Sequence, residues 1–467
     1  MINIKKTILK LFRKSNIAPS VCVLLCILLW YFIHTSPIFE RDAPQIILPN
    51  SSYWNLKWDI PIKITDSTGV KAYQVAVKIK SDGAESATKI LIDKKIAEAQ
   101  KEITFNLPIP KAHIKNGDAL LYTITAKDAS KNAFFTGNKS DATLELTIDT
   151  QLPQVRIIQM SNIITRGGAG AVVFYANDDA LANISLTNGF QSFVAFPFYK
   201  PNYYVGIIPY YITNPTFKGA IIAQDKAGNT RRFNINFMRY HRNYRTSNLT
   251  LQRSFIEGKI AEIIENENVR EFASFGDEIS AFRYVNEGIR NKDGTKIESK
   301  ILNSQIEISE FATFKPSSGA RVVGLFGDYR KFSFNKANAG ESWHLGIDLA
   351  GVKNMPITAS NDGVVVLSEE LGIYGNTIII EHGYGVASLY SHLSNMLVSE
   401  GDKVSAGDII AHSGSSGLAF GDHLHFTMLI QGMPSISNEW MDSKWLKTHI
   451  NDILSNARKV IDSDDRD

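Results

Sequence analysis

The chain is organised around two stretches, Ser-Trp-His-Leu-Gly-Ile-Asp at 342–348 and Gly-Asp-His-Leu-His-Phe at 421–426. The second continues into the apolar, partly β-branched segment 427–430, and this composition predicts a strand. Because side chains alternate along a strand, His423 and His425 should share one face, with their Cα atoms about 7 Å apart. This spacing suits one ligand of a divalent ion such as zinc and one imidazole beside it.

The first stretch places His344 and Asp348 four residues apart. On a helix the two would share a face, but Gly346 and the alternation of 345–349 favour a strand. A straight strand would hold the two side chains about 13 Å apart, which is too far to share an ion. We therefore expect the backbone to bend near Gly346, since glycine permits such a bend. Two histidines and one carboxylate leave a fourth zinc position open for water, as in catalytic zinc sites.

With the blocks between them, these stretches resemble the lysostaphin/LytM-type zinc metallo-endopeptidases of bacterial cell walls. The resemblance covers 326 to about 450. Its further blocks are Phe-Gly at 326–327, Asp-Gly-Val-Val at 362–365, Tyr-Gly-Asn at 374–376, Glu-His-Gly at 381–383, Leu-Tyr-Ser-His-Leu-Ser at 389–394 and Gly-Ser-Ser-Gly at 414–417. The resemblance implies an antiparallel-β LytM-type peptidase domain at 320–450. It also implies that His344, Asp348 and His425 bind one zinc ion, and that His392 and His423 assist catalysis.

Other polar residues near these motifs have plainer interpretations. We interpret His382, in a turn, and His412, where the family usually has glycine, as structural. Asp422 either orients an imidazole as a neighbouring carboxylate or belongs to a surface turn. The loop 414–417 lacks the lysine of a phosphate-binding loop and the spacing of a nucleophile elbow, so we expect it to border the groove.

Composition limits the class of protein. A chain of 467 residues suggests three or four domains. Its net charge of +3 provides no dominating field, so we expect no nucleic-acid partner. Cys22 and Cys26 are the only cysteines. This usage excludes disulfides, a thiolate nucleophile and a cysteine-type zinc site from the rest of the chain.

The N-terminal segment predicts a membrane anchor. A basic tail at 1–16 precedes the stretch 17–33, which carries no charged residue. The flanking charge predicts a cytoplasmic N-terminus, a transmembrane anchor at 17–34 and the rest of the chain outside. Together with the resemblance, this arrangement implies the bacterial inner membrane, with the remainder in the periplasm. A cleaved signal peptide is the rival interpretation. We favour an uncleaved anchor because the bulky aromatic run 30–32 stands where small residues would mark a cleavage site.

From 44 to 238 the chain consists of short alternating segments separated by turns, with a weak internal repeat. Pro-Gln-Ile-Ile at 44–47 is echoed at 153–156, and Ala-Lys-Asp-Ala-Ser-Lys-Asn at 126–132 is echoed at 223–229. We expect two immunoglobulin-like β-sandwiches, at 44–150 and 151–238. They could bind a wall polymer or a partner, and a spacer role is the simpler interpretation.

A change of pattern at 239–319 predicts a helical connector. Apolar residues recur at helical spacing in 255–264 and 277–290, and Asn-Lys-Asp-Gly at 291–294 should end the second helix. In the family such segments sometimes cover the groove, so autoinhibition is a hypothesis here. We expect helix again from 440 to 461, with a charged C-terminal tail at 451–467.

The predicted protein is mainly β, with an N-terminal transmembrane helix, two sandwiches, a connector and a peptidase domain. We expect a membrane-anchored zinc metallo-endopeptidase that hydrolyses peptidoglycan cross-links through a zinc-activated water. The D-alanyl–diaminopimelate bond is implied by the resemblance alone. Two alternatives remain: a non-enzymatic LytM-fold activator of another wall hydrolase, and a wall-binding structural protein. We rank the activator lower because such members typically lack ligands that this chain retains.

Overall fold

A computed structural model describes residues 17–268, 271–301 and 308–464, and the fold is mainly β, as predicted. Contacts divide the chain into two compact units. The first comprises Met1–Leu152 and Asp225–Asn229, and the second Pro153–Gln224 and Thr230–Asp467. The basic tail predicted at 1–16 lies outside the described residues.

The N-terminal segment forms a helix, Ile17–Thr35, followed by a single turn of 3-10 helix at Pro37–Phe39. Pro19 stands in the first turn, where a missing N–H removes no helical hydrogen bond. Of the helices in the described ranges, none has both the length and the apolar character needed to cross a bilayer. The anchor at 17–34 stays a prediction.

The rest of the first unit is built around a sheet whose strand order is β1-β3-β6-β7-β2, with β4 and β5 also paired to β3. Its strands are β1 (Gln45–Ile47), β2 (Tyr53–Trp54), β3 (Pro61–Ser81), β4 (Ala84–Glu85), β5 (Lys89–Asn106), β6 (Ala119–Asp128) and β7 (Lys139–Ile148), with a short helix at Asn132–Phe135. The long strand β3 shifts register around Val70. Bulges of this kind bend a strand.

The second unit begins with two sheets that share one core. Their strands are β8 (Gln154–Met160), β10 (Ala169–Asn177), β11 (Leu181–Thr187), β12 (Ser192–Val194), β13 (Phe196–Pro197), β14 (Tyr203–Pro209), β15 (Ala220–Asp225) and β16 (Thr230–Asn234). The short strand β9 (Ile163–Thr165) lies outside both sheets. One sheet has the order β13-β14-β10-β8 and the other β12-β11-β15-β16. Phe174 of the first packs with Leu186 and Ile221 of the second. The immunoglobulin-like character of both modules stays a prediction.

The connector contains strands as well as helices. β17 (Met238–Tyr240) and β18 (Thr246–Thr250) pair in parallel with β9 and with the later strand Asp328–Phe334. Two helical segments follow. Their consecutive parts are Arg253–Phe255, Ile256–Ile260 and Ala261–Asn266, then Glu278–Arg283, Tyr284–Ile289 and Arg290–Ile301, with a 3-10 turn at Phe272–Ser274 between them. We call 253–266 and 278–301 the first and second connector helices. Their buried face packs on Phe332, Phe334 and Ile373.

The second connector helix begins where the sequence predicts, but the predicted end at 291–294 is wrong. Asp277 caps its start by accepting a hydrogen bond from the Ser280 N–H, and the helix continues to Ile301. Tertiary contacts override the local stop signal. The Asp293 carboxylate accepts a hydrogen bond from the Ile373 N–H at 2.9 Å, and Ile297 is buried against Leu367 and Ile379.

The C-terminal part of the second unit is an antiparallel β domain. Its strands are β19 (Arg321–Gly324), β20 (Asp328–Phe334), β21 (Ala337–His344), β22 (Ile347–Ala350), β23 (Pro356–Thr358), β24 (Gly363–Leu371), β25 (Gly375–Glu381), β26 (Val386–Met396), β27 (Lys403–Val404), β28 (Ile409–Ser413), β29 (Leu424–Ile430) and β30 (Met433–Ser435), with a 3-10 turn at Gly372–Tyr374. The main sheet has the order β19-β22-β29-β26-β25-β24-β27, and a smaller sheet has the order β18-β20-β21.

The C-terminus is helical, as predicted for 440–461, and the helix continues into the segment assigned to the charged tail at 451–467. Helices Ser437–Trp440 and Ser443–Leu446 precede a π-helical turn, Lys447–Asn451, and a last helix, Asp452–Asp464. Ile453, Leu454, Ala457 and Ile461 of that helix are buried. Their near-helical spacing places them on one face, so the charged side chains between them face away from the core.

One core joins the second module to the C-terminal domain. Val173 and Val205 of the module belong to the same buried cluster as Tyr384, Met428 and Trp440. The segment 153–238 is therefore part of the unit that carries the histidine motifs.

Candidate active site

A break between two strands brings His344 next to Asp348. β21 ends at His344 and β22 begins at Ile347, and the two strands belong to different sheets. The predicted bend at Gly346 is therefore present. His344 Nε2 lies 2.9 Å from Asp348 Oδ1, whereas a continuous strand would hold these side chains about 13 Å apart.

Gly346 is required at this bend because other side chains occupy the space beside it. A Cβ atom at this position would lie 2.6 Å from His425 Nε2 and would also contact Thr427 Oγ1. Only glycine leaves room for the imidazole, so the bend and the placement of His425 depend on each other.

Strand pairing supplies the third member of the cluster. In the register between β22 and β29, Asp348 stands opposite His425. His425 Nδ1 lies 3.0 Å from Asp348 Oδ1 and 3.0 Å from His344 Nε2. The ligand atoms of all three residues lie within 4.8 Å of one another.

The chemistry of these atoms fits a bound cation. His344 Nδ1 donates to the Leu325 carbonyl at 2.8 Å, so Nε2 presents its lone pair to the cluster. His425 Nε2 contacts Thr427 Oγ1 at 3.0 Å, which leaves Nδ1 facing inward. Two imidazole nitrogens and a carboxylate oxygen thus converge on one point. Such a set suits zinc and leaves a coordination position open.

Protonation states agree with this assignment. Burial lowers the pKa of His425 to about 4, so its ring is neutral at neutral pH. Burial would raise the pKa of Asp348, but its close contacts with His344, His423 and His425 outweigh that effect, and the pKa falls below its ordinary value. The cluster therefore combines neutral imidazole with an ionised carboxylate, which are the ligand forms that a metal needs.

His423 lies at the edge of the cluster, just before β29. Its Nδ1 donates to the Gly421 carbonyl at 2.7 Å, and its Nε2 lies 3.6 Å from Asp348 Oδ1. Burial would lower the pKa of His423, but the Asp348 carboxylate outweighs it and the pKa is raised. The Nε2 atom therefore faces the ligand cluster.

His392 approaches from the neighbouring strand β26. Its ring centroid lies 4.9 Å from that of His423 and 5.7 Å from that of His425. Its Nδ1 donates to the Ser416 carbonyl at 2.8 Å, so Nε2 is the free nitrogen. Burial, followed by the nearby His425 and His423, lowers the pKa of His392 well below its ordinary value. Its φ of 61° is the kind of backbone strain that functional sites hold.

The other candidates take no part in the cluster. His382 is buried, its pKa is lowered to about 4 by burial, and its ring contacts the Asp362 carbonyl and Ser388 Oγ. His412 contacts Asn395. Asp422 accepts hydrogen bonds from Ser413 Oγ and the Asn354 N–H, so its carboxylate is held by other partners than the ligand imidazoles.

The cluster forms the floor of a groove of about 800 Å³. Phe255 and Phe282 of the connector helices contribute one wall, and the Phe255 ring stacks on Phe420 with centroids 4.2 Å apart. The connector is therefore part of the groove, and the loop that carries Phe420 lies against it.

Sequence reasoning missed several residues that contribute to the site. The carbonyls of Leu325 and Ser416 orient His344 and His392, and a backbone carbonyl has no sequence signature. Thr427 could have been found, because it lies two residues after His425 on the same face of a strand. Arg330 Nη2 lies 3.3 Å from Asp348 Oδ2, a contact that depends on the pairing of distant strands.

Comparison with known proteins agrees with this geometry. Residues 342–436 match the model of peptidase family M23. The chain is 30% identical over 200 residues to peptidoglycan DD-endopeptidase ShyA of Vibrio cholerae, which covers 43% of each chain. It is 43% identical over 91 residues to DD-carboxypeptidase/endopeptidase Mpg of Neisseria meningitidis, covering 20% of this chain and 21% of Mpg.

A third relative is named as an activator of hydrolases. Over 122 residues the chain is 43% identical to murein hydrolase activator NlpD of Escherichia coli K12, covering 26% of this chain and 29% of NlpD. The chain thus spans less than half the length of the curated relatives it matches. The resemblance predicted from the histidine motifs is confirmed, and the C-terminal part of this chain contains a peptidase family M23 domain of the LytM type.

Proposed function

We propose that this chain is a zinc-dependent peptidase that hydrolyses peptide bonds of peptidoglycan. The observation that carries the proposal is the convergence of His344 Nε2, Asp348 Oδ1 and His425 Nδ1 on one point of the groove floor. His392 and His423 present their Nε2 atoms beside that point. The set thus combines a metal site with groups that can transfer protons.

The metal and the histidines would divide the chemistry. Zinc held by His344, Asp348 and His425 would supply the Lewis acidity that polarises a scissile carbonyl and lowers the pKa of water to about 7. His392 and His423 handle the protons. One accepts a proton from the attacking water; the other donates a hydrogen bond to the developing oxyanion and then protonates the leaving nitrogen. Their Nδ1 atoms are held by carbonyls, so each ring keeps a fixed orientation.

The peptide cross-link is the substrate that we propose. ShyA is named a DD-endopeptidase and Mpg a DD-carboxypeptidase/endopeptidase, and both align with this chain. The bond we favour joins a D-alanyl carbonyl to the amine of diaminopimelate. We further propose that the N-terminal segment 17–34 anchors the chain in the inner membrane, with the groove in the periplasm.

An activator role is the second candidate, and the match to NlpD favours it. In that case the groove would bind a wall component or a hydrolase without cleaving it. The retained ligand cluster supports the peptidase instead, since three converging metal ligands are not needed for binding alone. A purely structural, wall-binding protein is the remaining alternative.

Digestion of purified sacculi distinguishes these functions. The full chain, purified in mild detergent and supplied with zinc, should release soluble muropeptides from which cross-linked dimers are depleted. Asp348→Ala and His423→Ala should release none above the level without enzyme. Binding to sacculi with no cleavage by the wild-type chain would instead support an activator or structural protein.

A further inference from the structure

Three arginines, Arg245, Arg290 and Arg330, line the groove. Arg330, on β20, places Nη2 3.3 Å from Asp348 Oδ2 and Nε 3.5 Å from Asp328 Oδ2. The other oxygen of the Asp348 carboxylate faces the histidines. Arg330 is therefore separated from the metal-ligand atoms by the width of one carboxylate.

Arg290 reaches the same groove from the second connector helix. Its Nε and Nη2 atoms donate to the carbonyl and the side-chain oxygen of Asn286, at 2.9 and 3.0 Å. Across the part of the chain that the structure describes, Arg290 forms no ion pair with a carboxylate. Burial lowers the pKa of Arg290; Tyr374 and Asp293 oppose this effect, and nearby Arg330 adds to it.

The acidic side chains that line the groove already have partners within the protein. Asp422 accepts hydrogen bonds from Ser413 and Asn354, and Asp348 belongs to the ligand cluster. Asp328 remains as a partner for Arg330 and also accepts a hydrogen bond from Ser247. Within the described residues, Arg290 therefore keeps a guanidinium at the groove that pairs with no carboxylate, and such a cation favours an anionic ligand.

We infer that Arg290 and Arg330 bind a substrate carboxylate located on the carbon atom next to the leaving nitrogen. The inference rests on the proposed function and adds a specificity to it. Guanidinium groups bind carboxylates through paired, planar hydrogen bonds, and one arginine already adjoins the ligand cluster. A carboxylate held there would lie close to the scissile bond.

This subsite distinguishes peptidoglycan bonds that have a carboxylate next to the leaving nitrogen from those that do not. In a D-alanyl–diaminopimelate cross-link, and equally in a D-alanyl–D-alanine terminus, the carbon that bears the leaving nitrogen also bears a free carboxylate. A bond inside a glycyl bridge has no carboxylate at this position. The arginine pair therefore favours the first two substrates over the third, and amidation of the carboxylate should remove the advantage.

The test compares two synthetic cross-linked peptides that differ only in this group, carboxylate in one and carboxamide in the other. The full chain should cleave the carboxylate form with the higher kcat/KM. In Arg290→Gln and in Arg330→Gln the ratio of the two kcat/KM values should fall by about tenfold to a hundredfold, since a charge-assisted hydrogen bond is lost. Arg283→Gln is the matched control, because Arg283 lies on the same helix and donates to the Asn338 and Ala339 carbonyls. Its ratio should match that of the wild type.

A binding measurement separates failure of the subsite from failure of the proposed function. Metal-depleted protein is titrated calorimetrically with a diaminopimelate tripeptide in free and amidated forms. If the chain cleaves neither cross-linked peptide but binds the free tripeptide in an arginine-dependent way, the subsite is supported and the peptidase is not. If cleavage proceeds and folded Arg290→Gln and Arg330→Gln keep the wild-type ratio, the subsite is overturned. If Arg290→Gln does not fold, two other variants replace it in this comparison. They are Arg330→Gln and Arg290→Lys, of which the second keeps the positive charge.

Discussion

Single atoms determine whether the candidate centre can hold an ion. The Leu325 carbonyl fixes which nitrogen of His344 carries the proton, and the Ser416 carbonyl does the same for His392. Gly346 contributes by lacking a side chain, since a Cβ would meet the His425 ring. The residues that orient the ligands are therefore as informative as the ligands themselves.

The first prediction concerns Gly346→Ala. The added methyl group should displace the His425 imidazole and reduce zinc affinity by about tenfold to a hundredfold, the range found for disturbed support of metal ligands. Competition with a chromophoric chelator measures the affinity. Gly421→Ala is the control, because a Cβ there meets no atom within 4 Å. Equal affinities for the two variants would contradict the proposed role of Gly346.

The second prediction concerns Glu439, whose buried Oε2 has no hydrogen-bond partner within the described residues. Burial raises its pKa from 4.5 to about 7. Between these values the unfolded chain releases the proton while the folded chain keeps it, so the free energy of unfolding decreases as pH rises. Glu439→Gln cannot ionise. Its stability relative to the wild type should therefore increase from pH 4.5 to 7, by up to about 3 kcal/mol, and then level off. Denaturant unfolding between pH 4 and 8 measures the difference, and parallel curves would refute the shift.

Sequence reasoning at this scale identified the residue types that carry chemistry and not the groups that orient them. His344, Asp348, His392, His423 and His425 meet because each has a side chain suited to metal or proton chemistry within a recognisable motif. Ser416 contributes a carbonyl, which every residue has. Arg290 lies in a helix distant in sequence from the motifs, and only packing of that helix on the domain brings it to the groove.

At the scale of elements, tertiary contacts determine where a helix ends when the local sequence signal indicates a different position. The two copies of the internal repeat form equivalent local structures: β1 and β8 each start just after a proline, and β6 and β15 each end at an aspartate of the repeat. The Asn-Lys-Asp-Gly stop signal at 291–294 failed, because Asp293 and Ile297 gain contacts that hold the helix together. Gly294 and each of its neighbours destabilise the helix by at most about 1 kcal/mol. One buried aliphatic side chain contributes more than any one of these residues costs.

The third prediction tests this balance. Ile297→Ala should lower the free energy of unfolding by about 2–4 kcal/mol, because it removes a side chain that is 3% exposed and leaves a cavity. Asn291→Ala, an exposed position in the same helix, should leave stability unchanged or raise it slightly. Chemical denaturation of both variants provides the comparison. A loss below 1 kcal/mol for Ile297→Ala would show that the extended helix packs less firmly than described.

At the scale of the whole molecule, the second module and the M23 domain form one compact unit. Val205 and Tyr384 belong to the same buried cluster, and the Gln431 side chain exchanges hydrogen bonds with the Val194 backbone. The sequence predicts an immunoglobulin-like module at 151–238 with a spacer role as the simpler interpretation, and it does not predict this shared core. Strand patterns reveal that a segment has an apolar face, and they do not reveal which neighbour covers it.

The fourth prediction follows from this shared core. A protein comprising 153–464 should unfold in one cooperative transition, whereas one comprising 242–464 should unfold at a clearly lower temperature or aggregate, because the apolar face of the M23 domain is uncovered. Differential scanning calorimetry compares the two. Equal transition temperatures would mean that the module is a spacer after all.

The central claim is that His344, Asp348 and His425 hold one zinc ion, and anomalous X-ray scattering at the zinc edge tests it most directly. Crystals of the chain grown with zinc should show a peak bonded to His344 Nε2, Asp348 Oδ1 and His425 Nδ1, and Asp348→Ala crystals should lack it. A peak bound by other side chains, or no peak at this point in a preparation that still cleaves sacculi, would contradict the account.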